Sequence, residues 1–584
     1  MDVKGVVTVQ NTEIKKVYII FKTHLDLGFT DYAQAVAERF IEDYIPNAVS
    51  VGYELRHSGT PFIWTVGAWM MNEALKRENP ALERAIEDGV ICWHGLPFTT
   101  HTELMSPRLF EYGLSISQKL DKRFGKRTVA AKMTDVPGHT IGIVPYLERA
   151  GIQFLHIGVN PATPVPDVPR LFRWKCGQSS IIVMYQGDYG ETDMIGDTAF
   201  VFAHTGDNTG PQRAEEVIRI YREAAETYPN AEITAGTLND LAETAAKQAR
   251  DIPVIENEIG DSWIHGAAAD PQKVSQYRAL LRYIDKNGIG EADLTDNLLL
   301  VPEHTWGMDA KLYYHDKENF TCGDLERNAD KSRIIERSWQ EQRDYVAKAE
   351  AVLGVQADYD VSVPDLTGYE KKDDIKCGVE ISWQLFDKAD YARWKNVYMR
   401  LFDEWCIWDF TRVGLPDYTG GIFTAKAEEA YCKGDSQIFV LRFEEAVQEK
   451  FGLPYFVAEK QDKQVTVKWF GKKKSRLPQA FWLKFTGLEE AWEVNKLGCW
   501  IKPENIIGSP LLTAVYKGIR NNSVFIESLD APLAAPYGRN LLNYNLKNPH
   551  EDLYFNLYNN VWNTNFPLWY DDDALFRFRL QEKR

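Results

Sequence analysis

The chain has 584 residues, 44% hydrophobic and 26% charged, ordinary globular proportions that, at roughly 150 residues per domain, leave room for two to four domains. A net charge of −17, with one short basic tract at 471–476, argues against a nucleic-acid partner. No window approaches the about 18 uninterrupted apolar residues of a membrane span, residues 1–16 lack an export signal, and the seven scattered cysteines show no CxxC spacing, so a soluble, cytoplasmic protein with neither membrane contact nor a disulfide framework is expected.

Through about residue 260, strand-like runs at 17–21, 61–66, 89–94, 130–135, 152–158, 180–186 and 200–206 alternate with amphipathic stretches at 34–55, 79–88, 106–124 and 211–228. The alternation predicts βα units around a parallel sheet, and about seven strands favour a barrel over an open sheet. The periodicity then turns helical, at 271–287 and 323–354, as in a bundle. Beyond about 375, alternating strands at 436–447, 463–471, 479–487, 523–529 and 574–580 predict an antiparallel sandwich. The expected division is a β/α barrel over 1–265, a helical bundle over 266–370 and a β-sandwich over 371–584.

Chemistry in parallel α/β folds gathers at the carboxyl ends of strands, and four polar constellations sit at such positions. His24 and Asp26 follow the run Val17–Phe21, and residues two apart on an extended backbone point to one side, so the pair can converge on one cation. Asp135 ends a strand before the turn Pro137-Gly138-His139, where it reads as a helix cap or as a nucleophile, base or ligand. Asp207 lies in the loop Gly206–Pro211, and His304 follows an apolar run among Glu303, Trp306 and Asp309. Together these supply two histidines and two carboxylates for one divalent ion, plus a spare carboxylate; zinc accepts such a mixed N/O set.

The order of these motifs resembles glycoside hydrolase family 38, the zinc-dependent retaining α-mannosidases, and especially its shorter bacterial relatives. The resemblance rests on His24-Leu25-Asp26-Leu27-Gly28-Phe29, Asp135-Val136-Pro137-Gly138-His139-Thr140, Pro145-Tyr146-Leu147, Gly206-Asp207-Asn208-Thr209-Gly210-Pro211, His304-Thr305-Trp306-Gly307 and the segment 559–570. It implies a seven-stranded β/α barrel, a helical bundle and a β-sandwich. It also implies one Zn²⁺ held by His24, Asp26, Asp135 and His304, with Asp135 as nucleophile and Asp207 as acid/base. Phe29 stands where the family has tryptophan, and Val159-Asn160 stand where an arginine is expected near the substrate. The stretch 93–105 stands where the family has an acidic one, with His101 and Glu103 expected to serve a similar purpose, and these departures imply altered sugar contacts. Substrate-binding candidates are Phe29, His101, Glu103, His139, Asn160, Asp261, Trp263, His265 and Trp306. The expected partner is a carbohydrate, and homo-oligomerisation stays open.

Two other readings compete. A metal-dependent carbohydrate deacetylase would need a His-x-x-x-His pair, and the stretch 138–144 lacks the second histidine. A catalytically silent carbohydrate-binding protein of the same fold would be favoured by loss of either carboxylate, but Asp135 and Asp207 are both present.

Overall fold

Strand formation begins with runs that are apolar without alternation. The computed structural model describes residues 11–248, 252–288, 290, 294–373, 375–486, 488, 491–509, 513–544 and 552–582; residues 1–10, on which the N-terminal reading partly rests, lie outside it. Among the described residues the first half contains β1 (Lys16–His24), β2 (Trp64–Gly67), β3 (Ile91–His94), β4 (Ala130–Asp135), β5 (Phe154–Val159), β6 (Leu171–Cys176), β7 (Ser179–Gln186), β8 (Asp193–Ile195), β9 (Thr198–Asp207), β10 (Glu232–Ala235) and β11 (Val254–Ile255). In β1, Val17, Ile19, Ile20 and Phe21 are all fully buried, as expected of a strand covered on both faces.

The ladders form two sheets, ordered β3-β2-β1-β9-β8 with β10 also on β1, and β11-β6-β7-β5-β4. Pairing is parallel for β1 with β2, β9 and β10, for β2 with β3, for β4 with β5 and for β5 with β7. Each of the seven strand-like runs read before residue 260 coincides with one of these parallel strands. Among the described residues no ladder joins β3 to β4 and closes the strands into one ring; Gly95, just after β3, donates its N–H to Ala130 O at 2.9 Å. The mouth of both sheets is nonetheless built from strand carboxyl ends, since His24 closes β1, Asp135 closes β4 and Asp207 closes β9.

The helix Ala329–Leu353 packs on the helices Pro271–Asn287 and Asp296–Leu300. The helix expected over 323–354 is broken at Asn328, whose Nδ2 donates to Asn319 Oδ1 and Asp324 O at 2.9 Å each. This is the competition of a short polar side chain with the helical ladder. The strand expected over 436–447 ends at Arg442, and Glu445–Phe451 is a helix with an acidic first turn.

The remaining strands form two antiparallel sheets. Trp469 is fully buried between them, its ring 5.3 Å from Phe481 of the facing sheet. After the strand Tyr554–Asn559 the chain returns to the first half. Trp562 Nε1 donates to Ser262 O at 3.1 Å, Ala310 N donates to Thr564 O at 2.9 Å, and Asn565 Oδ1 accepts from Trp306 N at 3.0 Å. No helix among the described residues is long and apolar enough to cross a membrane.

One contact between the halves invites a test. Cys176, ending β6, and Cys499, in the strand Cys499–Ile501, have their sulfurs 3.9 Å apart across a sequence separation of 323. Glutathione disulfide is expected to cross-link them, with a linked peptide pair in the digest and a higher thermal midpoint, because closing so long a loop restricts the unfolded chain most. Recovery of both cysteines as separate thiols after oxidation would refute this.

Candidate metal centre and cavity

The loop after β1 fits against the loop carrying His304 because residue 28 is glycine. Its φ is +134°, and a Cβ there would stand 2.9 Å from Thr305 Cγ2, too close for any side chain. Phe29 N then donates to Gly307 O at 3.0 Å and Asp309 N to Phe29 O at 2.9 Å, so the two loops are stitched together. Asp135 has φ +81°, a left-handed conformation that costs about 1–3 kcal/mol unless its surroundings enforce it. Here Asn160 enforces it: its N–H donates to Asp135 O at 2.9 Å and its Nδ2 to Asp135 Oδ1 at 3.0 Å. The Tyr189 hydroxyl donates to the same Oδ1.

Ligand atoms of His24, Asp26, Asp135 and His304, all buried, lie within 4.8 Å of one another. His24 Nε2 is 3.0 Å from His304 Nε2, and the two stand 3.2 and 2.9 Å from Asp26 Oδ1. His304 Nε2 is also 3.7 Å from Asp135 Oδ2. Asp26 Oδ2 is buried without any hydrogen-bond partner, a vacancy that natural structures rarely tolerate. Two imidazole nitrogens and several carboxylate oxygens facing one point have more lone pairs than a shared proton can satisfy. A divalent cation fits that donor set. Glu303 Oε1 lies 2.6 Å from His304 Nδ1, the position of the outer carboxylate that orients a ligating imidazole.

Charge acts accordingly among these groups. Burial pushes the Asp26 carboxyl up, but the His24 and His304 imidazoles outweigh it and hold the group below the usual carboxylate range. Burial alone would lower the His304 imidazole; the Glu303 and Asp26 carboxylates outweigh that and raise it well above its ordinary value.

Beside the cluster is a cavity of about 320 Å³, at the lower end of small-molecule sites. Asp26, Asp135 and Asp207 contribute to its wall, as do Phe29, Asn160 and Trp263. Asp207 stands opposite His24 in the β1/β9 register. It is half-buried, with Oδ1 sealed from solvent and unpartnered. Burial first, then the Asp26 and Asp135 carboxylates, hold its carboxyl well above the ordinary range. A carboxyl disposed in this way to hold its proton is what acid-assisted bond cleavage requires.

The other expected substrate contacts lie behind this wall. His101, Glu103, His139, Asp261, His265 and Trp306 are at most 4% exposed and do not line the cavity. Glu103 pairs with Lys496 at 2.6 Å, and Asp261 accepts from Trp263 N at 2.7 Å and Tyr398 Oη at 3.1 Å. Trp306 is covered by Lys273, whose Nζ is 3.7 Å from the ring centre. His139 joins Ile259 through its backbone and stays outside the four-residue cluster. His139, Asp261, His265 and Trp306 each lie within four residues in sequence of a lining residue or ligand, and local pattern does not tell which way a loop side chain turns.

Sequence reasoning passed over Tyr189, Lys311, Trp405, Asp409 and Phe410, which do line the cavity. Tyr189 had a weak signal, since it follows the end of β7 in the Gly-flanked stretch 187–190. Lys311 and Asp409 had none; they meet across a separation of 98 residues.

Comparison with known proteins agrees with the architecture. A family model described as a domain of unknown function, DUF5054, matches residues 267–366, and no curated protein matches. The chain is similar in structure to an alpha-mannosidase from Enterococcus faecalis V583, with a TM-score of 0.58 and 10% identity over 97% of this chain and 87% of that one. It is also similar to a protein of glycosyl hydrolase family 38 from Enterococcus faecalis, with a TM-score of 0.52 and 9% identity over 98% and 86%. At such identities the likeness establishes a shared mixed α/β fold with parallel sheets and a C-terminal antiparallel region.

Proposed function

We propose that the protein is a metal-dependent retaining glycoside hydrolase acting on α-mannoside-like glycosides, with one zinc ion held by His24, Asp26, Asp135 and His304. The observation that carries this reading is the convergence of those four donors beside a cavity lined also by Asp207, whose buried Oδ1 has no partner. The fold shared with an alpha-mannosidase supports it. When bound, the ion would supply Lewis-acid charge that orients sugar hydroxyls.

The chain's own residues account for the remaining chemistry. Asp135 attacks the anomeric carbon and becomes a glycosyl ester, while Asp207 gives its proton to the departing oxygen; Asp207 then takes a proton from water, which opens the ester with a second inversion. Asn160 and Tyr189 occupy Asp135 Oδ1, fixing the carboxylate's orientation. Phe29 and Trp263 offer apolar faces to the sugar. His139, the histidine a deacetylase would recruit, is outside the cluster, and that alternative loses its support.

A panel of aryl glycosides, assayed with and without chelator and alongside elemental analysis, tests the reading. One zinc per chain and chelator-sensitive release of the aryl group, strongest for the α-mannoside, are expected. Full turnover by protein shown to be metal-free would contradict the metal's role.

A further inference from the structure

Among the described residues the cavity wall carries five aspartates, Asp26 and Asp135 of the metal cluster together with Asp207, Asp309 and Asp409, and one lysine, Lys311. That cation is already engaged. Its Nζ lies 2.8 Å from Asp309 Oδ2 and 2.9 and 3.2 Å from the two oxygens of Asp409, with the Phe29 ring centre 4.8 Å away. Asp309 is pinned in turn, its N–H on Phe29 O. Resting on the hydrolase reading, we propose that the site admits uncharged glycosides and rejects anionic ones such as uronides, with Lys311, locked between Asp309 and Asp409, as the residue that sets this choice.

The argument is one of available partners. An ammonium with two carboxylates against it offers a hydroxyl a donor and an adjacent acceptor together, which suits the neighbouring hydroxyls of a neutral sugar. A substrate carboxylate can only accept, so beside Lys311 it must displace Asp409 or stand unpaired next to Asp309 and Asp409. Asp309 and Asp409 already share that one ammonium. Freeing Lys311 from Asp409 would turn the same ammonium into an anion receptor.

Calorimetric titration with methyl α-mannoside and the matching methyl uronide, with hydrolysis of their 4-nitrophenyl counterparts in parallel, tests this. Wild type is expected to favour the neutral sugar by about 100-fold, the effect of one unscreened like charge at about 6 Å in a half-polar site. Asp409→Asn should cut that preference at least tenfold, chiefly by better uronide binding, and adding Lys311→Met should restore it. Lys311→Gln, a second variant of similar size, should reject the uronide at least as strongly as wild type. Equal wild-type binding of both sugars, an unchanged preference in a folded, metal-replete Asp409→Asn protein, or uronide binding gained in Lys311→Gln would each overturn the inference. If wild type hydrolyses glycosides yet shows no charge preference, the inference fails alone; if it neither binds nor hydrolyses any glycoside, the hydrolase reading falls with it.

Discussion

Asp135→Ala is expected to reduce hydrolysis of an aryl α-mannoside by at least about 10³-fold, equivalent to about 4 kcal/mol of transition-state stabilisation. Azide should return part of the activity with a product of opposite configuration to the substrate. The stereochemistry carries the argument. With the nucleophile gone, azide makes one displacement from the face that Asp135 occupied, and one displacement inverts. Asp207→Ala should behave differently. Its activity should fall by about 10²–10⁴-fold for poor leaving groups, which need the proton, and much less for activated aryl ones. Azide should there give a product of retained configuration, because Asp135 still makes the first displacement. Because Asp135 is also one of the four clustered donors, excess zinc belongs in every assay; full recovery with zinc alone would show that Asp135 serves as a ligand and not as the nucleophile. Product of the same configuration from both variants would break the assignment.

The division between what the sequence disclosed and what it withheld follows from range. His24 and Asp26 could be picked out because the apolar run before them is local and the strand period places both on one side. Asp135 and Asp207 were legible for the same reason, each ending a strand whose pattern is visible within seven residues or so. The pairing of those strands into two sheets was not legible, since a closed ring and two abutting sheets use the same βα alternation. Trp306 illustrates another limit. An aromatic next to a ligand histidine reads as a sugar platform, yet its indole is sealed by Lys273 from the helix Pro271–Asn287 and by Phe566 from the C-terminal segment. Conversely, Tyr189 reaches Asp135 across 54 residues, and no local period could announce that contact. Residues were legible where their role is set by their own strand, and hidden where it is set by a partner from another part of the chain.

His304→Ala should abolish tight metal binding and, with it, the difference in thermal stability between loaded and chelated protein. Anything that binds only the folded state stabilises it by mass action, about 2.7 kcal/mol at a hundredfold excess over the dissociation constant. That increment should be present in wild type and missing in the variant. Proton linkage sharpens the test. In the metal-free protein the Glu303 and Asp26 carboxylates raise the His304 imidazole well above its ordinary value despite burial, so the ion must displace a proton from it. Zinc affinity should therefore weaken as pH falls below that raised value, approaching tenfold per unit, with proton release on binding. The metal-free protein has the opposite slope from this group: a raised folded value contributes stability that is complete below the unfolded value, near pH 6.5, and is lost as pH rises through the folded one. Metal should thus stabilise most where the metal-free protein is weakest, on the alkaline side. A His304→Ala protein that retains stoichiometric zinc with the wild-type dependence on pH would remove His304 from the ligand set and leave Glu303 orienting nothing.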